Sequence, residues 1–391
     1  MKQRTLWNRR EFVQSMGCSS LAAVGPRVQW LTGVNRLKPR FAYVGFSSEG
    51  QRHTGVQTFA IRSERWIPVQ SVASENPTAL ALHPSERFLY AVNEIDSYQG
   101  LPSGTVEAYA IDPDSGHLTL LNRQPLSLSG TMPRHLAISP DGGNVIVAVH
   151  GGGAYNVLPI DADGTLGRVS GIVKEIGSGP NAEHQDAAHP QMVMFDTTGR
   201  HLLGTDMGSD RLNVFALTDD TLSVRDRSTT QPGSGPRHMA LHPSGHLLYV
   251  TNHLESSISC YGYDAANGKL QKRLQHAPLT AVNSETKSAG ALLIHPSGHF
   301  LYASHQGGTD GIAAWRIHST TGALTPIQLW GEGLRDMHAM TMLSDGAGLL
   351  VLSQKGDNVV HLRIDSASGK LGAPVQVAKV SSPISLAVKY V

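Results

Sequence analysis

The chain is poor in cysteine and in net charge, and each shortage argues against a class of protein. It has 391 residues, of which 2 are Cys, and 32 Lys and Arg stand against 31 Asp and Glu. A net charge of +1 argues against nucleic acid or an anionic membrane as a main partner. If Cys18 is removed with a leader, Cys260 remains alone, and no intramolecular disulfide can form.

Helical patterns and several catalytic motifs are missing as well. No amphipathic helix pattern runs through the body of the chain, which argues against Rossmann and TIM-barrel folds. The sequence has no paired-Cys or His-Glu-x-x-His zinc spacing, and no Ser stands in a nucleophile elbow, which disfavours a covalent serine hydrolase. The mildly apolar stretch from Ser15 to Val24 is too short to span a bilayer. We therefore do not expect an integral membrane protein.

The sequence contains instead a repeated phrase, in which a tight turn precedes a short run of β-forming apolar residues. The clear copies begin at His83, His242 and His295, and weaker copies begin at Ser139, Asp196 and Ser344. They recur at intervals of roughly 50 residues, which suits one four-stranded propeller blade with loop insertions. Each apolar run is too short for a helix and is predicted to be a buried strand. An alternating strand follows, and in most copies a Gly-containing hairpin turn comes next.

An additional strand pair has no turn phrase before it and lacks one strand. Phe41–Gly45 and Gly55–Ile61 form this pair, and Ser385–Tyr390 is predicted to be the missing strand. We therefore predict an all-β fold, a single seven-bladed β-propeller over residues 36–391, in which the N- and C-terminal strands close the ring. A tandem β-sandwich is the alternative, but sandwich strands seldom repeat one turn phrase this often.

Residues 1–35 differ from the rest and are predicted to be an export signal and linker. Asn8–Gln14 resembles a twin-arginine signal, and Ser15–Val24 would be its apolar region. Such signals export proteins that have already folded in the cytoplasm, so we expect a periplasmic or otherwise exported protein. The alternative is an accidental Arg pair in a disordered tail of a cytoplasmic protein.

The long polar segment Gly177–Gln191 interrupts the repeat and is the first candidate for function. A loop that carries His184, Asp186 and His189 is costly to order without a purpose. The alternative is a solvated insertion whose histidines only cap turns. No cofactor is expected, although these three residues lie close enough in sequence for a divalent metal to be possible.

Further polar residues stand where strands begin or end, and we predict that they meet at one mouth of the ring. They are Glu94, Arg134, His135, His150, Asp206, Arg237, His238, His253, Gln306 and His338. A neutral His can act as a general base near pH 7, and Arg can hold an anionic group or an oxyanion. The alternative is that the residues at the blade entrances only tie neighbouring blades together.

These segments resemble the propeller-type lactonases, a family that includes 6-phosphogluconolactonases and is related to the carboxymuconate-cyclising enzymes of fungi. The resemblance covers roughly residues 40–391 and rests on Gly177–Gln191, Leu89–Glu94, Asp206–Arg211 and Gly235–His238. Tyr249–Asn252 also matches the tetrapeptide of a wider group of propeller repeats. The resemblance implies a lactonase that acts on a small-molecule lactone or organic acid.

The resemblance also implies roles for individual residues. His189 or Glu94 would activate water, while Arg134, Arg237 or His184 would stabilise the carbonyl oxygen as it gains charge. The other candidates would bind substrate: His135, His150, Asp186, Gln191, Asp206, His238, His253, Gln306 and His338. Alternatives are a lactone-forming cycloisomerase, or a propeller that binds a small ligand, a metal or a protein without catalysis. A monomer or weak homo-oligomer is expected.

The chain departs from the family pattern at four places. His184 stands where members usually have Arg, and Gln191 stands where their loop usually ends in His. His253 and Gln306 replace the Glu and Arg of two strand-end motifs. The loss of positive charge at His184 and Gln306 weakens the case for a phosphosugar, which an exported protein would also seldom meet. We therefore expect a sugar lactone or a related small lactone.

Overall fold

A computed structural model describes residues 39–47, 54–62, 65–279, 288–306, 310–331 and 334–390. Within these ranges it does not describe the side chains of Pro39, Lys272, Gln306 and His338. The predicted export signal over residues 1–35 lies outside the described residues. The described residues form strands β1 to β28 joined by turns, with no helix among them. It follows that no helix in these ranges is long and apolar enough to cross a membrane.

The strands are grouped in seven antiparallel sheets of four, each of which is one blade. Blades 1 and 2 comprise β28 (Pro383–Tyr390), β1 (Pro39–Phe46), β2 (Gly55–Arg62) and β3 (Arg65–Ala73), then β4 (Pro77–Leu82), β5 (Phe88–Asn93), β6 (Thr105–Ile111) and β7 (Leu118–Pro125). Blades 3 and 4 comprise β8 (Pro133–Ile138), β9 (Asn144–Val149), β10 (Ala154–Pro159) and β11 (Gly171–Lys174), then β12 (Pro190–Phe195), β13 (His201–Asp206), β14 (Arg211–Thr218) and β15 (Thr221–Thr229).

The remaining three blades follow the same order from the innermost strand outwards. Blade 5 comprises β16 (Pro236–Leu241), β17 (Leu247–Asn252), β18 (Ser257–Asp264) and β19 (Lys269–Pro278). Blade 6 comprises β20 (Ser288–Ile294), β21 (Phe300–Gln306), β22 (Gly311–Ile317) and β23 (Leu324–Trp330), and blade 7 comprises β24 (Met337–Met342), β25 (Gly348–Ser353), β26 (Asn358–Ile364) and β27 (Leu371–Lys379).

The predicted closure of the ring by the two ends of the chain is confirmed. The C-terminal strand β28 is the innermost strand of blade 1 and pairs antiparallel with β1, from Phe41↔Lys389 to Phe46↔Pro383. It also contacts the inner strands β4 and β24 of the two neighbouring blades. The all-β, seven-bladed propeller predicted from the repeat is therefore the observed fold.

The repeated phrase supplies hydrogen bonds between blades as well as strands. In several blades a Tyr in the second strand donates its hydroxyl proton to a Gly carbonyl in the outer hairpin of the next blade. The pairs are Tyr43 to Gly116, Tyr90 to Gly164, Tyr249 to Gly322 and Tyr302 to Gly369, at 3.2, 2.9, 2.9 and 2.9 Å. These tyrosines are fully buried, so each hydroxyl needs the partner that the next blade provides.

The His of the turn phrase makes a second contact between blades. His242 Nε2 lies 2.9 Å from the carbonyl oxygen of Gly298 in the following blade, and its Nδ1 accepts the backbone N–H of Ser244 at 3.1 Å. His83 and His295 repeat this geometry. The ring must be neutral, with its proton on Nε2, to satisfy both partners. Gly298 has a φ of 75°, which explains why Gly occupies this turn position.

The antiparallel order of each blade decides where the predicted site residues meet. An inner strand begins beside the end of the second strand, as the pairs Pro133↔Val149 and Pro236↔Asn252 show. Strand starts such as Arg134 and strand ends such as Glu94 therefore lie on one face of the ring. The His-Pro-Ser turns connect the other ends of these strands and lie on the opposite face.

Candidate active site

The inner strands of all seven blades surround a cavity of about 280 Å³. Thr78, Gln191, Ala291, Ala339 and Ile384 mark the contributions of blades 2, 4, 6, 7 and 1. A larger groove of about 610 Å³ lies outside the ring between β15 and β19, away from these strand starts. The cavity is small for a ligand pocket, which favours a small ligand.

One side of the cavity, which we call the charged wall, comes from blades 2 to 5. Its polar lining residues are Thr78, Glu94, Arg134, His135, Gln191, Arg237 and His238, and Ala79, Leu80 and Met192 line it as well. The polar residues lie at or next to strand starts, apart from Glu94, which directly follows the end of β5. Five further site residues predicted from the sequence, together with Glu94, therefore line one wall of the cavity.

The opposite side, which we call the apolar wall, comes from blades 6, 7 and 1. It consists of Ala291, Leu292, Leu293, Ala339, Met340, Ile384 and Leu386, and Ser385 is the one polar residue among the described lining residues on this side. Sequence reasoning placed no function on these apolar residues, because an apolar residue in an inner strand has the same pattern as a core residue.

An ion pair between Glu94 and Arg134 is the central feature of the charged wall. Arg134 Nη1 lies 2.7 Å from Glu94 Oε1, and the Glu94 side chain is 8% exposed. The backbone N–H of Glu94 donates to the carbonyl of Asn76 at 3.0 Å, which fixes the loop after β5. Burial raises the pKa of Glu94, and the positive charges of Arg134 and Arg237 only partly oppose this effect.

Arg237 places a second positive charge in the same cavity. Burial is the main cause that lowers its pKa to about 10, and the nearby charge of Arg134 acts in the same direction. Arg237 Nη1 lies 3.1 Å from His253 Nδ1, an atom that is also 3.0 Å from the carbonyl oxygen of Ala289. Burial and Arg237 lower the pKa of His253 to about 4, so this ring is neutral near pH 7. One carboxylate thus faces two guanidinium groups.

Two buried nitrogen atoms of the charged wall have no hydrogen-bond partner among the described residues. They are Arg134 Nε and His135 Nδ1. Burial lowers the pKa of His135 to about 4, so its ring is neutral near pH 7. Buried polar atoms normally find a partner, so these two atoms are suited to a polar ligand.

His150, His189 and Asp186 form a cluster beside the cavity that reaches it through Gln191. The rings of His150 and His189 stack with centroids 4.4 Å apart, and Gln191 Nε2 lies 2.6 Å from His150 Nδ1. Burial lowers the pKa of His150 to about 3. His189 Nδ1 lies 3.1 Å from the carbonyl oxygen of His150, and its Nε2 lies 2.8 Å from Asp186 Oδ1. Both nitrogens of His189 therefore face oxygen acceptors.

Asp206, predicted to bind substrate, orders the polar loop in the structure. Its Oδ1 accepts the backbone N–H groups of His189 at 2.7 Å and Gly208 at 3.0 Å, and its Oδ2 accepts the hydroxyl of Ser209 at 2.6 Å. Gln185, which the sequence did not single out, is fully buried and donates to the carbonyl of Met207 at 2.8 Å. The turn after β13 thus holds the Gly177–Gln191 loop against the ring.

One predicted residue lies away from the cavity, and the structure does not describe the side chains of two others. His184 is 48% exposed and lies 4.0 Å from Glu183, outside the residues that line the cavity. The side chains of Gln306 and His338 lie outside the described part of the structure. Among the described residues, no group of three or more His, Cys, Asp and Glu is placed to hold a metal ion. His184, Asp186 and His189 do not form such a group.

Comparisons with known proteins agree with this architecture. A family model described as "Lactonase, 7-bladed beta-propeller" matches residues 41–388, from β1 to β28. The 6-phosphogluconolactonases of Bacillus subtilis and Formosa agariphila are 26% and 29% identical, over 89% and 88% of this chain and 97% and 98% of their own. The periplasmic gluconolactonase of Pseudomonas aeruginosa has a TM-score of 0.81 at 25% identity, over 90% of this chain and 99% of its own.

Proposed function

This chain belongs to the family of seven-bladed β-propeller lactonases, and from that premise we propose that it opens a small lactone in the central cavity. The substrate would be a sugar lactone or a related small lactone without a phosphate group. The observation that carries this proposal is the buried Glu94–Arg134 pair, 2.7 Å apart, in the same cavity as Arg237. It supplies a proton acceptor and two cations where a carbonyl oxygen would gain charge.

We assign the role of general base to Glu94. Its Oε1 accepts the Arg134 hydrogen bond, and its other oxygen would take a proton from water as the water attacks the lactone carbonyl carbon. Arg237 and Arg134 Nε would donate to the oxyanion. Collapse of the tetrahedral intermediate breaks the ring C–O bond, and the proton on Glu94 passes to the leaving alkoxide. The products are a hydroxyl and a carboxylate on one open chain, with one proton released.

His189 is the second candidate for the base, and its contacts argue for a supporting role. In the observed arrangement both of its ring nitrogens are engaged, by the carbonyl of His150 and by Asp186. It would have to break the contact with Asp186 before accepting a proton from water. We therefore propose that His189 and His150 position Gln191 at the cavity.

The test is hydrolysis of a panel of unphosphorylated lactones by the wild type and by Glu94→Gln. We expect kcat/KM to fall by about 10² to 10⁴ in Glu94→Gln, the usual contribution of general-base catalysis. Activity should also decrease as the pH falls through a Glu94 pKa that burial holds above its ordinary value. Glu75→Gln is the matched control, because Glu75 is 62% exposed and pairs with Arg123 outside the cavity.

Two results would contradict this assignment. Full activity in Glu94→Gln, together with loss of activity in His189→Ala, would move the base to His189. No hydrolysis above background by the wild type on any lactone would remove the proposal itself.

We also propose that the protein is exported to the periplasm. The Asn8–Gln14 segment supports this location, and so does the loss of positive charge at His184 and Gln306, which suits a substrate without phosphate. A similar solved structure is that of a protein named a periplasmic gluconolactonase, which agrees with the proposed export. Cell fractionation of the wild type and an Arg9→Lys, Arg10→Lys variant tests it. A protein that stays cytoplasmic in both would contradict export.

A further inference from the structure

We propose that the preferred lactone carries an apolar alkyl or aryl substituent, an inference that rests on the proposed lactonase function. The observation is that the charged side chains of the cavity all come from blades 2 to 5, whereas the described lining residues of blades 6, 7 and 1 are apolar apart from Ser385. A ligand that fills the cavity must touch both walls. Its reacting carbonyl belongs at Glu94 and Arg237, so its other end meets carbon.

The apolar wall draws on three blades. Leu292 and Leu293 come from β20, Met340 from β24, and Ile384 and Leu386 from β28. Ile384 and Leu292 are 3% and 5% exposed, so the packing around them fixes their side chains in place. These side chains offer no hydrogen bond to a ligand. Ser385 also lines the cavity on this side, but its hydroxyl already donates to the carbonyl of Pro77.

This wall discriminates between two kinds of lactone. A sugar lactone carries hydroxyl groups around its ring, and those facing the apolar wall would lose water without gaining a partner. An alkyl substituent in the same place is removed from water, and each buried methylene is expected to improve kcat/KM about four-fold. The cavity of about 280 Å³ limits this gain to short chains.

The experiment measures kcat/KM of the full-length protein for a series of δ-lactones and for glucono-1,5-lactone. The series runs from δ-valerolactone, which has no side chain, through δ-hexalactone and δ-octalactone to δ-nonalactone. We expect kcat/KM to rise about four-fold per methylene until the wall is covered, and the best alkyl lactone to exceed glucono-1,5-lactone by about 100-fold. The wild type alone gives this result, so it does not depend on the folding of a variant.

A pair of variants shows that the apolar wall is the cause. Leu293→Asn places an amide on the wall and should lower the gain per methylene at least two-fold. Leu329→Asn is the matched control, because Leu329 lies on the outer strand β23 and is 55% exposed. It should keep the wild-type gain.

The outcomes separate this inference from the function on which it rests. Efficient hydrolysis of glucono-1,5-lactone, with no gain along the alkyl series, would overturn the inference and leave the lactonase intact. Equal slopes in the wild type and Leu293→Asn would also overturn it, since the preference would then arise elsewhere. Failure to hydrolyse any lactone would remove both.

Discussion

Deleting residues 384–391 should prevent the chain from folding cooperatively, because these residues form nearly all of β28. This strand is the inner strand of blade 1 and pairs with β1 along its length. Without it, blade 1 has no inner strand, and the inner strands of blades 2 and 7 lose a common neighbour. Lys389 Nζ, which donates to the carbonyl of Glu86 at 2.8 Å, would be lost as well.

The expected loss of stability can be worked out from the buried side chains. Ile384 is 3% exposed, and Leu386 and Val388 pack against the core of blades 1 and 7. Full burial of such a side chain contributes about 1.5–3 kcal/mol, and Leu386 and Val388 are partly buried, so the three together contribute roughly 5 kcal/mol. Whole domains are stable by only about 5–15 kcal/mol, and the deletion also removes the β1 hydrogen-bond ladder. The loss is comparable to the entire stability.

Thermal unfolding followed by circular dichroism, with size-exclusion chromatography, measures this effect. The truncated protein should aggregate or show no cooperative transition at the wild-type melting temperature. Removal of residues 1–35 is the control and should leave the transition unchanged, because the predicted propeller begins at residue 36. A truncated protein that melts like the wild type would refute the closure argument.

Two further predictions concern the stability of the ring. Tyr302→Phe should lower the free energy of unfolding by about 1–3 kcal/mol in urea titrations, because the buried carbonyl of Gly369 loses its donor; an unchanged midpoint would contradict this. Burial holds the pKa of His135, His150 and His253 at about 4, 3 and 4. As the pH falls, these histidines therefore bind protons in the unfolded chain before they do so in the folded protein. The free energy of unfolding is highest above pH 6.5 and decreases as the pH approaches 4. At pH 5 the decrease is roughly 2 kcal/mol per histidine. Urea midpoints that stay constant from pH 7 to pH 5 would show that these rings are not buried in the neutral form.

The fold was predictable because most blades carry a recognisable pattern within a short stretch of the sequence. A turn with Pro and Gly, followed by a short apolar run, recurs often enough to count the blades. The pattern of Ser385–Tyr390 also indicated the strand that the first pair lacked. The predicted family is confirmed by the family match over residues 41–388, which also supports a lactonase enzyme. The role of His242 was not predictable, since its partner Gly298 lies in the next blade.

The site was predictable only in part, and the reason is geometric. Arg134 and Arg237 stand at equivalent strand starts, so their meeting in one cavity follows from the repeat. The contacts of His189 depend on how Asp206 folds the long loop, which no local pattern encodes. The apolar wall could not be predicted, because Leu293 and Met340 have the same sequence pattern as ordinary core residues. Roles for His184, Gln306 and His338 stay predictions.

The turns that join the blades through His83, His242 and His295 all lie on the face away from the cavity. This placement affects which loops of the protein can change in sequence without loss of stability. Loops on the cavity face can be lengthened or exchanged without touching those joints. The Gly177–Gln191 insertion is such a loop, and it is held by Asp206 and the turn after β13 on the same face. Grafting a foreign loop there should alter which molecules are accepted while the ring keeps its melting temperature. The same scaffold can thus acquire new chemistry on one side at little risk to its assembly.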